Sequence, residues 1–160
     1  MRRRRLAALA GALLASGGCL QPPQTPCPPD RLPPREWVRS PETVFDFFRE
    51  CLRCGEYRLA YQVLSGGTRR EIGEDEFVAL FRNSIDLYRT VAFSRKERIE
   101  EGAGAGEKIL VLRHDLSGVR HRILLREEGG IWTLAEGEEQ FRAFMREVSR
   151  GERDRAHQYR

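Results

Sequence analysis

Seven of the eight prolines in this 160-residue chain fall between Leu20 and Arg39, and none lies beyond Pro41. Proline holds φ at about −65° and offers no backbone N–H, so this segment can continue neither a helix nor a strand ladder. It favours extended polyproline II, and twenty such residues at ~3.1 Å each form a stiff tether of roughly 60 Å. Regular structure is therefore confined to the chain beyond Arg39. About 120 residues from Ser40 onward suffice for one domain with a modest core. The chain divides into residues 1–18, a proline-rich tether at 19–39, a domain at 40–150 and a polar tail at 151–160.

The N-terminus reads as an export signal. Arg2 to Arg5 form a charged region, Leu6 to Ala15 an apolar one, and Ser16-Gly17-Gly18 supply small residues before a cut site. The apolar run is far short of the ~20 residues that span a bilayer. Ser16-Gly17-Gly18-Cys19 resembles the lipobox of bacterial lipoproteins. That resemblance implies removal of residues 1–18 as a signal peptide and attachment of diacylglycerol and palmitate to Cys19. It also implies a location in the cell envelope, lipid-anchored to a membrane on its periplasmic or outer face. Ser16 stands where that family usually carries Leu.

Cleavage alters the charge balance. The whole chain has 28 Lys and Arg against 24 Asp and Glu, for a net charge of +4. The leader holds four Arg and no acid, so the remainder carries 24 of each sign. A nucleic-acid binder shows a basic face with net positive charge. Here the signs are interspersed as on a solvated surface, which excludes nucleic acid as a partner.

Within the domain, Ser40-Pro41-Glu42 has the chemistry of a helix start: a capping hydroxyl, proline in the first turn, then an acid. Val44, Phe45, Phe48, Cys51 and Leu52 share one helical face, with Asp46, Arg49, Glu50 and Arg53 opposite. Gly55 ends the helix. Tyr57, Ala60, Tyr61 and Leu64 predict a second helix broken by Ser65-Gly66-Gly67, and Glu74-Asp75-Glu76 opens a third that buries Phe77, Leu80 and Phe81. Extended patterns come next at 91–100, 108–113, 119–127 and 131–136, joined by glycine-containing turns, which predicts an antiparallel meander. Phe141, Phe144, Met145 and Val148 pattern a last amphipathic helix over 138–150. Helices ahead of a curved antiparallel sheet define the α+β class, with a short C-terminal helix.

Pro41-Glu42 leading into Phe47-Phe48, then Cys54-Gly55-Glu56-Tyr57 with Ala60-Tyr61 and Leu64-Ser65, resembles the opening of the nuclear transport factor 2-like superfamily. Gly130-Ile131-Trp132-Thr133-Leu134 is similar to that superfamily's last-strand Gly-x-Trp-x-Leu. The resemblance covers residues 40 to 137. It implies a cone whose sheet wraps a pocket against the long helix, a pocket for a small apolar ligand, and a homodimer through the sheet's outer face. Such folds host isomerases, dehydratases and non-enzymatic binding domains, so the fold does not choose the function.

The isomerase chemistry needs an inward carboxylate base. Asp46 falls on the polar helix face and Asp115 at a turn, so no catalytic residue is assigned. His121 is the polar candidate for the pocket, since Val119, His121, Ile123 and Leu125 share one strand face opposite Arg120, Arg122 and Arg126. Its plainer role is a rim histidine bonded to backbone or water. Tyr57, Tyr61 and Trp132 are the other candidates for the pocket wall, each with an apolar body and a polar tip, and core packing is the plainer role for each. His114 beside Asp115 reads as surface, and His157 lies in the tail.

Cys51-Leu52-Arg53-Cys54 closes a helix rather than opening one, at the negative end of the dipole, which disfavours a redox thiolate. Two further ligands for zinc are lacking, so no metal or cofactor is assigned. Acylation of Cys19 leaves three thiols, an odd number in an oxidising compartment. A disulfide from Cys27 to Cys54 that pins the tether, with Cys51 buried, is one pairing; plain helix residues are the other reading. The chain reads as an anchored, non-enzymatic scaffold or ligand-binding domain that meets an envelope protein or small ligand. The alternative is a small isomerase- or dehydratase-type enzyme.

Overall fold

The computed structural model describes residues 22–23, 25, 27–115 and 118–135. Two 3₁₀ turns, Pro29–Arg31 and Arg35–Arg39, precede five α-helices: α1 (Val44–Arg53), α2 (Tyr57–Gln62), α3 (Gly66–Glu71), α4 (Glu74–Asn83) and α5 (Ile85–Ala92). Four strands then form one antiparallel meander in the order β1 (Ser94–Glu101), β2 (Glu107–His114), β3 (Arg120–Glu128) and β4 (Ile131–Leu134). This is the α+β class, with helices first and a sheet after. The helix expected over 138–150 and the tail lie outside the described residues, as do residues 1–18 and Cys19.

The apolar periodicity of α1 is realised on its buried face, where Val44, Phe45, Phe48, Cys51 and Leu52 are joined by Phe47. Ser40 starts this helix as its chemistry requires: its Oγ accepts from the Glu42 N–H at 3.2 Å, and its carbonyl accepts from Thr43 and Val44. The first turn is irregular, so α1 proper begins at Val44. Gly55 ends it with φ at 70°. The polar face of α1 is not simply solvated. Arg49 donates to the Ser94 carbonyl at 2.9 Å and Arg53 to the Ala92 carbonyl at 2.8 Å, while Asp46 pairs with Lys96 at 2.6 Å. Those bonds satisfy carbonyls at the end of α5 and tie the helical layer to the first strand.

Two helices are additional to the expected set. Ser65 does more than break a helix: its Oγ accepts from the Thr68 N–H at 3.1 Å and caps α3. Ser84 does the same for α5, accepting from Leu87 N–H at 3.2 Å. Consequently Val91 and Ala92, expected in a strand, end a helix, and β1 starts at Ser94. Thr90 and Val91 carry the β-branched signal that suggests a strand; burial of Leu87, Tyr88 and Ala92 along α5 overrides it.

Leu110 and Leu112 of β2, Leu125 of β3 and Leu134 of β4 join the helical aromatics in one core. The register shifts between Lys96 and Arg98, so the ladder is interrupted at Glu97, the kind of irregularity that bends a strand. Gly129 and Gly130, with φ of 62° and 82°, make the two-residue β3–β4 turn that places Glu128 opposite Ile131. A parallel bridge between Leu64 and Leu134 returns β4 to the end of α2.

The solvent side of the sheet is a cross-strand lattice of charge. Arg120 grips Glu97 at 2.6 and 2.8 Å, Arg122 meets Glu100 at 2.7 Å, and Arg126 meets Glu107 at 2.8 Å. Hydrogen bonds from Arg120, Arg98 and Arg126 respectively hold the carboxyls of Glu97, Glu100 and Glu107 below their ordinary value of 4.5. A carboxyl whose pKa is lower folded than unfolded contributes stability that is complete above the unfolded value and lost as pH falls through the folded one. The urea midpoint should therefore hold steady from pH 7 to about 5 and fall below about 4.5. One molar salt should flatten that fall, because the pairs are exposed. A midpoint that does not move between pH 5 and 3 would contradict this lattice.

Candidate functional site

The most elaborated locality lies where the proline-rich segment meets the α1–α2 junction. Its composition predicts a tether standing away from the domain. Instead Pro22 and Pro33 are buried, and Trp37 and Val38 pack against the core. The reason lies in hydrogen bonding as well as apolar contact. The Cys27 N–H donates to the Cys54 carbonyl at 2.8 Å, and the Tyr57 hydroxyl donates to the Pro23 carbonyl at 2.6 Å. Thr43 Oγ1 donates to the Trp37 carbonyl at 2.7 Å. Prolines cannot donate, but their carbonyls accept, and the domain supplies the hydroxyl that the segment needs.

Gly55 makes the approach possible. A Cβ at that position would stand 2.9 Å from the Thr25 carbonyl oxygen and 3.4 Å from Pro23 Cβ. Tyr57 behind it is 2 % exposed, with the Arg82 guanidinium 5.7 Å from its ring centre. Burial chiefly, with nearby Tyr88, pushes its phenol up to about 12, so it remains a neutral hydrogen-bond donor. Tyr57 is thus a core residue, the plainer of the two roles its sequence offered, and its hydroxyl is also the clasp of the N-terminal segment.

The other three pocket candidates do not converge on it. The Tyr61 hydroxyl is shared between the carbonyls of Arg69 and Ile72, at 3.1 and 3.0 Å, and its ring packs on Phe77. Trp132 packs against the edge of the core and sits opposite Glu127 in the ladder. His121 lies opposite Leu112, six residues along β3 from Glu127, a separation of roughly 20 Å in an extended strand. Val119, expected beside His121 on the inner face, precedes the strand and is 50 % exposed. The apolar setting of His121 is therefore one-sided. Neither acid weighed as a base is unengaged: Asp46 pairs with Arg49 and Lys96, and Asp115 with Arg95.

The structure does bring the cysteines together. Cys51 is 0 % exposed within the face of α1, and Cys54 is 6 % exposed at its C-terminal end. Cys27 is half-buried, and its backbone N–H donates to the Cys54 carbonyl at 2.8 Å. Cys54 Sγ also donates to the Arg31 carbonyl at 3.5 Å. Burial, and after it the Cys27 contact, pushes the Cys54 thiol up to about 12; burial likewise raises Cys51 to about 12. The direction agrees with a thiol at the end of a helix, but desolvation is its leading cause. The lattice of hydrogen bonds around Tyr57 and Gly55 had no sequence signal beyond the glycine itself.

Among the described residues no group of three His, Cys, Asp or Glu could hold a metal ion, and no helix is long and apolar enough to cross a membrane. No family model, no curated protein and no solved structure matches this chain.

Proposed function

We propose that this chain is a lipoprotein of the bacterial envelope, anchored through Cys19, whose α+β domain is a non-enzymatic scaffold or ligand-binding module of nuclear transport factor 2-like type. The observation that carries the anchor is the ordered run of Arg2–Arg5, an apolar stretch, Ser16-Gly17-Gly18 and Cys19, ahead of a proline-rich segment. The packing of that segment adds to the reading. With Pro23 held by Tyr57, only four residue steps separate Cys19 from the domain, at most roughly 14 Å of chain. The domain would ride against the membrane surface instead of at the end of a long stalk.

The buried polar side chains serve the fold of such a module. Among the described residues these are Ser65, Thr68, Ser94 and Thr133. Ser65 and Thr68 bond each other at 3.0 Å, Ser94 donates to the Thr90 carbonyl at 2.5 Å, and Thr133 to the Arg126 carbonyl at 2.9 Å. These are short hydroxyls engaged in fold-holding bonds.

The test is metabolic labelling of bacteria that express the precursor. The wild-type chain should take up labelled palmitate and sediment with membranes. Cys19→Ser should lose essentially all of the label and accumulate uncleaved or soluble. A Cys19→Ser chain that is still labelled and membrane-bound would overturn the anchor.

A further inference from the structure

We infer that Cys27 and Cys54 form a disulfide that staples the proline-rich segment onto the α1–α2 junction, leaving Cys51 as a buried thiol. The backbone bond between them, 2.8 Å from Cys27 nitrogen to Cys54 oxygen, holds their α-carbons within roughly 6.5 Å of each other. That lies inside the separation a disulfide spans. Both cysteines are free thiols in the structure, with Cys54 buried and Cys27 half-buried beside it. The Tyr57–Pro23 bond and the Gly55–Thr25 approach hold the segment in place on either side.

Cys51 is the competing partner for Cys54, three residues earlier on the same helix. It is 0 % exposed, so an external oxidant does not reach it, whereas Cys27 is half-buried. This difference in access sets the order of steps. The Cys27 thiolate attacks one sulfur of a disulfide-carrying oxidant, whose S–S bond breaks and whose first thiol leaves with the Cys27 proton. Cys54 then gives up its proton and attacks the Cys27 sulfur, expelling the second thiol. Two protein thiols have become one disulfide, and the oxidant's disulfide two thiols. A thiol that resists ionisation, as Cys54 does, gains little from being released, which marks the bond as a structural staple and not an oxidoreductase centre.

The bond would close a loop of about 28 residues and fix the domain no farther than eight residue steps, roughly 28 Å, from Cys19. In the cell its formation rests on the export reading, since such bonds persist in oxidising compartments. The pairing itself does not, and a test in solution separates the two.

Full-length protein purified from membranes in detergent would be reduced, freed of reductant and incubated with oxidised glutathione. Free thiols would then be alkylated under denaturing conditions before tryptic digestion without reductant. Trypsin cuts after Arg53 and so parts Cys51 from Cys54. The expected result is one linked pair of peptides bearing Cys27 and Cys54, two daltons lighter than the sum of its parts, with Cys51 alkylated. The Tm of the oxidised protein should exceed that of the reduced protein by on the order of 10 °C. Cys27→Ser and Cys54→Ser should each remove that difference, and the double variant should remove no more. Recovery of Cys27 and Cys54 as alkylated or glutathione-capped peptides, a bridge that includes Cys51, or equal oxidised and reduced Tm values would overturn the assignment.

Discussion

Phe77→Ala should remove about 4 kcal/mol from the folding free energy, a large part of the ~5–15 kcal/mol available to a domain of this size. Phe77 is 0 % exposed and is the meeting point of three helices. Its ring lies 6.3 Å from Phe48 of α1, 5.6 Å from Tyr61 of α2 and 4.7 Å from Phe81 of its own helix α4. Truncation forfeits the transfer free energy of the ring and leaves a cavity. That cavity closes poorly, because the Tyr61 hydroxyl is tied to the Arg69 and Ile72 carbonyls and cannot shift to fill it. The cost therefore sits high in the range for a buried aromatic. Urea unfolding should show a much lower midpoint with an unchanged slope. Leu80→Ala, on the half-buried side of the same helix, should cost less than about 1.5 kcal/mol. Similar small losses for both variants would mean that these rings do not pack as described.

Gly55→Ala is the second large effect, at about 2 kcal/mol, and it has two causes. At φ of 70° a side chain clashes with its own carbonyl, a strain of about 1–2 kcal/mol. The new Cβ would also stand 2.9 Å from the Thr25 carbonyl, a backbone atom that cannot rotate away. The proline-rich segment would have to lift. The variant should thus show a lower urea midpoint together with faster alkylation of Cys27 in the native, reduced protein. Gly73→Ala is the control: a Cβ there meets nothing within 4 Å and φ is −68°, so the change should cost no more than about 1 kcal/mol, the loss of a favoured residue at the N-cap of α4, with Cys27 alkylation unchanged. Equal behaviour of the two variants would remove the close approach on which the clasp depends.

Local chemistry that was legible does account for most of the elements. The 3.6-residue spacing of Val44, Phe45, Phe48, Cys51 and Leu52 predicted a buried helix face, and each of these residues is in the core. The positive-φ glycines at 55, 118, 129 and 130 stand at helix end and turns. The missed helices α3 and α5 had a readable signal in the capping serines Ser65 and Ser84. In each case it was outweighed by neighbours that speak for a break or a strand: Gly66-Gly67 in one, Thr90-Val91 in the other. The two glycines that open α3 cost about 1–2 kcal/mol together, a sum of the same size as the Ser65 cap with its Thr68 contact.

The sequence alone determined the class of the domain and the order of the meander, because each depends on neighbours within one turn or one strand. Only the tertiary structure decided that the proline-rich segment lies down on the domain, that Tyr57 is its clasp, and that Cys27 meets Cys54. It also separated His121 from Trp132, which the sequence had grouped as candidates for one pocket. These outcomes join residues some 20 to 35 positions apart through single hydrogen bonds and one close glycine contact. Periodicity carries no record of such contacts, since a carbonyl on a proline reads the same whether water or a tyrosine hydroxyl satisfies it.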